Sequence, residues 1–234
     1  MTQAAYHADS YKTELETTVL AADENGVVLA DTIFYPTGGG QPGDTGNFST
    51  VEGNQYAVVN TVRDRDSGNI VHQLKDHNLQ AGQTVTVAID WSRRYRHMRM
   101  HTAMHLLGSL IHVPVTGGQV GAQKSRLDFD VGELQLDKEV LTDQINQLIE
   151  QGHAIEISAI TDAELEANPD LVRTMSVQPP RGAGTIRMIR VQDVDYQPCG
   201  GTHVRNTAEI GKVRISKIQN KGKHNRRVHL VFEE

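Results

Sequence analysis

RRYRHMRMHTAMHLLGSLI, residues 93–111, is the stretch on which the reading of this chain turns. It holds no proline, and no glycine before Gly108, and Asp90-Trp91-Ser92 ahead of it offers a helix cap. Met98, His101, Met104, His105, Gly108 and Ile111 recur at spacings of three and four, the pattern of one helix face. His101 and His105 therefore share that face, about 6 Å apart at Cβ, which suits two ligands of one ion.

Upstream of the helix the pattern is different. Thr17 to Leu20 and Val27 to Ala30 flank Glu24-Asn25-Gly26, a hairpin signal. Tyr56 to Val62, Ile70 to Leu74 and Thr84 to Ile89 are further strand candidates. Between them FYPTGGGQPGDTGNF, Phe34 to Phe48, is dense in glycine and proline and is expected to be neither a helix nor a central strand. Downstream, a second helix is expected after Asp137, with Val140, Leu141, Ile145, Leu148 and Ile149 inward and Gly152 as its stop. Thr161 and Glu164 form a capping-box pair opening a short third helix. Strands are expected at Arg126 to Val131, Ala154 to Ile160, Thr185 to Val194, Lys212 to Ile218 and Val228 to Phe232. The expected fold class is α+β. A small β-barrel-like domain, residues 1–90, precedes an α+β domain, residues 91–234, with the histidine helix and an antiparallel sheet.

Composition excludes several classes. The 38% hydrophobic and 22% charged residues suit a globular protein. No run of about 18 apolar residues suggests a membrane span, and the polar N-terminus lacks the apolar stretch of a secretory signal. Cys199 is the sole cysteine, so no intramolecular disulfide can form, and cytoplasmic residence is expected. A net charge of −6 argues against indiscriminate binding to polyanions, yet two basic clusters stand out. They are Arg93, Arg94, Arg96 and Arg99, then Lys217, Lys221, Lys223, Arg226 and Arg227.

The second half of a metal constellation is CGGTH, Cys199 to His203. A thiolate and an imidazole four residues apart, with two glycines between, can fold into a chelating turn. Taken alone, either pair is compatible with ordinary core or surface residues. Taken together, His101, His105, Cys199 and His203 describe a tetrahedral zinc set. The helix reads HTAMH, without the glutamate that serves the HExxH metalloproteases as a base. An activated ester is then an easier target than a peptide, and zinc acting as a Lewis acid could suffice.

The order HTAMHLL, SRLDFDV, CGGTHV and a strand with the paired Arg226 and Arg227 resembles the editing domain of alanyl-tRNA synthetase and its stand-alone form, the AlaX trans-editing proteins. FYPTGGGQPGDTG, Phe34 to Gly46, is similar to the stretch that precedes that domain in the synthetase and the longer AlaX members. The interior of CGGTH separates the chain from the threonyl-tRNA synthetase type. The resemblance runs from Phe34 to Arg227. It implies a deacylase of mischarged tRNA(Ala), acting first on serine and also on glycine, without a domain for aminoacylation.

A second, hydrolytic sieve is needed because a synthetase pocket rejects an analogue that merely adds a hydroxyl only about a hundredfold. By this resemblance Gln119 matches a polar pocket position, and Gly38, Gly39 and Gly40 are expected as a wall over the amino-acid pocket. Met104 stands where the family often has threonine, a departure that bears on serine selectivity. The Thr102 side chain is expected to point away from the metal face. The basic clusters are expected to meet tRNA phosphates. No residue is singled out as general base. Two alternatives remain: a deacylase for another mischarged tRNA, and a zinc-stabilised tRNA-binding module without turnover.

Overall fold

A computed structural model describes residues 2–172, 174–175 and 184–233. The fold is α+β, and the chain divides into two compact units, Met1–Tyr95 and Arg96–Glu234.

The first unit opens with β1 (Gln3–Ala4) and a single turn of helix, α1 (Ala5–Ala8). Next come β2 (Glu14–Asp23), β3 (Gly26–Leu29), β4 (Asp31–Thr32), β5 (Gly46–Thr50), β6 (Gln55–Arg63), β7 (Ile70–Leu74) and β8 (Thr84–Ile89). Six of these close into an antiparallel barrel in the order β2-β3-β7-β6-β5-β8. Alternation along each strand turns one side inward, so Val19, Val27, Leu29, Phe48, Val58, Val85 and Val87 fill the interior with Ile33 and Phe34. The hairpin forms as expected, with Asp23 opposite Gly26. Gly26 is required by proximity, since a Cβ there would stand 2.3 Å from the His72 carbonyl oxygen. The glycine-rich stretch is not loop throughout, as its spacing suggested: Gly46–Phe48 enter β5, paired on both sides in the barrel. A Cβ at Gly46 would lie 2.1 Å from the Ala88 carbonyl oxygen, so this glycine makes strand pairing possible rather than preventing it.

Helix α2 (Trp91–Leu110) leads into the second unit, with the Asp90 carboxylate accepting from the Arg93 N–H at 3.0 Å. It is followed by β9 (Val115–Gln119), β10 (Lys124–Asp130), α3 (Lys138–Gln151), β11 (Ile155–Thr161), α4 (Asp162–Ala167), β12 (Thr185–Val191), β13 (Asp195–Pro198), β14 (Val213–Asn220) and β15 (Asn225–Phe232). Two antiparallel sheets result, β14-β15-β10-β9 and β11-β12-β13. Asp137 caps α3 and Gly152, in the left-handed region, ends it. Leu141, Ile145 and Ile149 are buried, but Val140 is exposed, because it lies off the stripe these three define at every fourth residue. The Thr161–Glu164 capping box is present.

The strand expected from Thr185 to Val194 ends at Val191. Asp193 adopts a positive φ of 59° in the turn, and the chain folds back as β13. Strand β9 was hidden from pattern reading by Gly117 and Gly118, which carry no hydropathy signal. At Gly118 a Cβ would meet Leu127 Cδ2 at 3.1 Å and Met104 Cε at 3.4 Å.

Candidate metal centre

The helical spacing of His101 and His105 and the turn after β13 bring four ligand atoms together. The ligand atoms of His101, His105, Cys199 and His203 all lie within 4.8 Å of one another, and the three imidazoles are buried. Cys199 Sγ stands 3.6 Å from His101 Nε2 and 3.3 Å from His203 Nε2. Metal–ligand bonds of about 2.0–2.3 Å at tetrahedral angles separate neighbouring ligand atoms by roughly 3.3–3.6 Å. The cluster has the size of a coordination sphere and could hold a metal ion.

The ring nitrogens turned away from this cluster are tied. His105 Nδ1 donates to Asp195 Oδ2 at 2.9 Å, and the Gln197 amide donates to the same oxygen at 2.7 Å. His203 Nδ1 donates to the Thr102 hydroxyl at 3.1 Å, and that hydroxyl donates to the Met98 carbonyl at 3.0 Å. Both bonds fix a tautomer that leaves Nε2 able to bind a metal. Thr102 was expected to point away from the centre, but it does not: its hydroxyl contacts His203. In a helix its hydroxyl bonds back to the preceding turn, and from there it reaches His203. Asp195 and Gln197 were also missed. The signal was period-two alternation, since Asp195, Gln197 and Cys199 fall two residues apart along the strand leading into the turn.

The turn itself is held differently from what its glycines suggested. Neither Gly200 nor Gly201 has a positive φ. Instead Arg187 Nη1 donates to the Cys199 carbonyl at 2.6 Å and to the Gly201 carbonyl at 3.0 Å, and the Gly201 N–H donates to Sγ at 3.4 Å.

Charge within the cluster is strongly coupled. Burial opposes the charged His105 ring, but the Asp195 hydrogen bond and the neighbouring thiolate outweigh it and push the ring up to about 10. Burial would raise the Cys199 thiol, yet the His101 and His203 charges and hydrogen bonds hold it well below its usual value. His203 is pushed down to about 3 by burial and by the adjacent His101. A thiolate and a carboxylate buried together call for positive charge, which a divalent cation supplies.

The other expected site residues have the following surroundings. Met104 is buried against Gly118. Gln119 is exposed and accepts from Arg126 Nε at 3.3 Å. Gly38, Gly39 and Gly40 belong to the barrel unit. There Gly38 and Gln41 exchange backbone hydrogen bonds of 3.0 and 2.9 Å, Tyr35 donates its hydroxyl to the Gly38 carbonyl, and Gly39 and Gly40 take positive φ.

The sequence is 39% identical to the alanyl-tRNA editing protein AlaX-M of Methanosarcina barkeri, over 99% of both chains. This chain belongs to the AlaX-M family. The AlaX-M protein of Saccharolobus solfataricus is 33% identical over the full length of both. The alanine–tRNA ligase of Sulfurisphaera tokodaii is 36% identical over 93% of this chain, which covers 25% of the ligase. Two family descriptions also match: threonyl and alanyl tRNA synthetase second additional domain at residues 186–229, and class II (A) tRNA synthetases at residues 2–93. The first spans Cys199 and His203. The second spans the barrel. No helix among the described residues is long and apolar enough to cross a membrane.

Proposed function

We propose that this AlaX-M member is a cytoplasmic trans-editing hydrolase that deacylates mischarged tRNA(Ala), with Ser-tRNA(Ala) as its main substrate and Gly-tRNA(Ala) as a second. The first unit, Met1–Tyr95, is read as its β domain and the second, Arg96–Glu234, as its editing domain, with the division five residues beyond the one expected at 90–91. The observation that carries the reading is the meeting of His101, His105, Cys199 and His203 in a family whose members are named for alanyl-tRNA editing.

Three imidazoles and a thiolate suit zinc, which supplies Lewis acidity at the ester carbonyl when bound. The chain's own residues set up that position. Asp195 and Thr102 orient His105 and His203, Gln197 steadies the Asp195 carboxylate, and Arg187 holds the turn that presents Cys199. Met104, in place of the family's frequent threonine, gives the helix an apolar side chain between the two ligand histidines and lowers the number of hydroxyl partners there.

The test is release of labelled serine from Ser-tRNA(Ala). Loss of an outer partner of a ligand costs about 10–100-fold, so Cys199→Ala, which removes a ligand itself, is expected to lose more than that. Equal rates in the variant and the parent would end the metal-dependent reading. A second reading is favoured by the compactness of the cluster, since four protein ligands can close a structural site. In that case the protein binds tRNA without turnover, and cobalt-substituted protein shows a spectrum indifferent to added substrate analogue.

A further inference from the structure

Of the two basic clusters in the sequence, the first has three of its four arginines tied to the protein itself. Arg94 is fully buried and donates to Asp44, to the Ser10 carbonyl and to the Ile33 carbonyl. Arg96 and Arg99 donate to the Ala122 and Ile210 carbonyls and both lie over the Phe232 ring.

The other cluster is arranged by sheet register. In β14-β15-β10-β9 one face is apolar and buried, with Val213, Ile215, Val228, Leu230, Leu127 and Phe129. The opposite face consists of cross-strand rows. Lys217, His229, Arg126 and Gln119 are directly paired in one row. Gln219, Arg227, Asp128 and Gly117 form the next, and Arg214, Val231 and Lys124 a third. Lys124, Arg214 and Lys217 are exposed, and Lys221 and Lys223 continue the charge into the β14–β15 turn. Arg227 is bidentate on Asp128 at 2.8 Å from each oxygen, and Arg126 holds the same carboxylate at 2.7 Å. One acid thus pre-orients two guanidiniums and leaves the trio cationic.

His229, in the middle of this face, is pulled down by burial and then by Lys124, Arg227 and Arg126, so the ring feels a local positive potential on a chain of net charge −6. Side chains facing the same way two residues apart recur at about 6.8 Å along a strand and rows repeat at about 4.8 Å across strands. Such a face offers many cations to a polyanion of regular charge.

We propose that the outer face of the β14-β15-β10-β9 sheet is the docking surface for the phosphate backbone of the tRNA stem, with Lys124, Arg126, Arg214, Lys217 and Arg227 as its contacts. This rests on the tRNA reading above and assigns it to one face. Contacts of this kind position the substrate and are independent of sequence.

The test is binding of uncharged tRNA(Ala) as a function of salt, which needs no turnover. The parent is compared with Lys124→Gln/Arg214→Gln/Lys217→Gln and with a charge-matched control, Lys12→Gln/Lys75→Gln/Lys138→Gln, none of whose positions lies on this sheet. Thermal melting and zinc stoichiometry verify that all three proteins are folded and loaded. The face variant is expected to lose about one unit of log–log salt slope per cation and roughly 10–100-fold in affinity at low salt, with the control close to the parent. Equal slopes in parent and face variant, or an equal loss in the control, overturn the proposal. So does an equal deficit of the face variant with a single-stranded oligonucleotide. A parent that binds tRNA with the expected slope difference but releases no serine overturns the editing reading and leaves the docking face standing.

Discussion

Each unit buries a histidine and an aspartate, and the two pairs are wired in opposite ways. In the barrel, His72 Nδ1 donates to the Val27 carbonyl at 2.9 Å and Nε2 accepts from the Thr32 hydroxyl at 2.7 Å, so both partners are neutral. Burial therefore pushes this ring down to about 4. Asp44, for its part, meets Arg94 through two oxygens and accepts the Tyr35 N–H. In the second unit the aspartate sits on the histidine itself, with a thiolate beside it, and the ring rises to about 10. Where the chain supplies every counter-charge, a buried histidine is part of the core. Where acid and thiolate converge on histidines, the cluster could hold a cation from outside.

Cutting the barrel pair gives the largest expected effect. Asp44→Ala leaves the Arg94 guanidinium buried without its counter-charge, which costs about 3–5 kcal/mol in urea unfolding. A loss near zero would show that Arg94 needs no acid and would erase the contrast.

Acid comes next. His72 has a folded pKa of about 4 against an unfolded value near 6.5, so its neutral form is what the fold favours. Its contribution is fully present above about pH 6.5 and is lost as pH falls through 4, about 3 kcal/mol in all. His72→Gln is expected to flatten the stability profile across this window, and an unchanged slope would assign the acid sensitivity to other groups.

The smallest effect sharpens the other side. Asp195→Asn keeps the shape but removes the charge that orients His105, and zinc affinity in competition with a chromophoric chelator is expected to fall about 10–100-fold, or about 1.4–2.7 kcal/mol. No change in affinity would mean that Asp195 serves only packing.

What could be read in advance followed from periodicity. The helix that begins near Trp91, the hairpin at Gly26, the Thr161 capping box and the four-residue spacings of His101/His105 and Cys199/His203 all carry their signal within a few residues. What escaped depends on partners far apart in the chain. Gly46 enters a strand because of Ala88, and Gly117 and Gly118 hide β9 because a residue without a side chain has no hydropathy to alternate. Arg187 and Thr102 act on the turn across 12 and about a hundred residues, and nothing local marks them. Arg94 and Arg227 look alike in sequence, yet one is sealed inside the barrel unit and the other lies on an open sheet face.

Thr102 carries a last consequence. Its hydroxyl joins Met98, His203 and the Val204 N–H, so the helix and the turn are latched by bonds that involve no ion. Helix and turn are therefore joined by the chain's own hydrogen bonds as well as by whatever the four side chains hold. For the metal centre proposed above, chelation and reloading are expected to exchange the occupant of a preserved frame, instead of driving the unfolding and refolding cycle that a zinc finger undergoes.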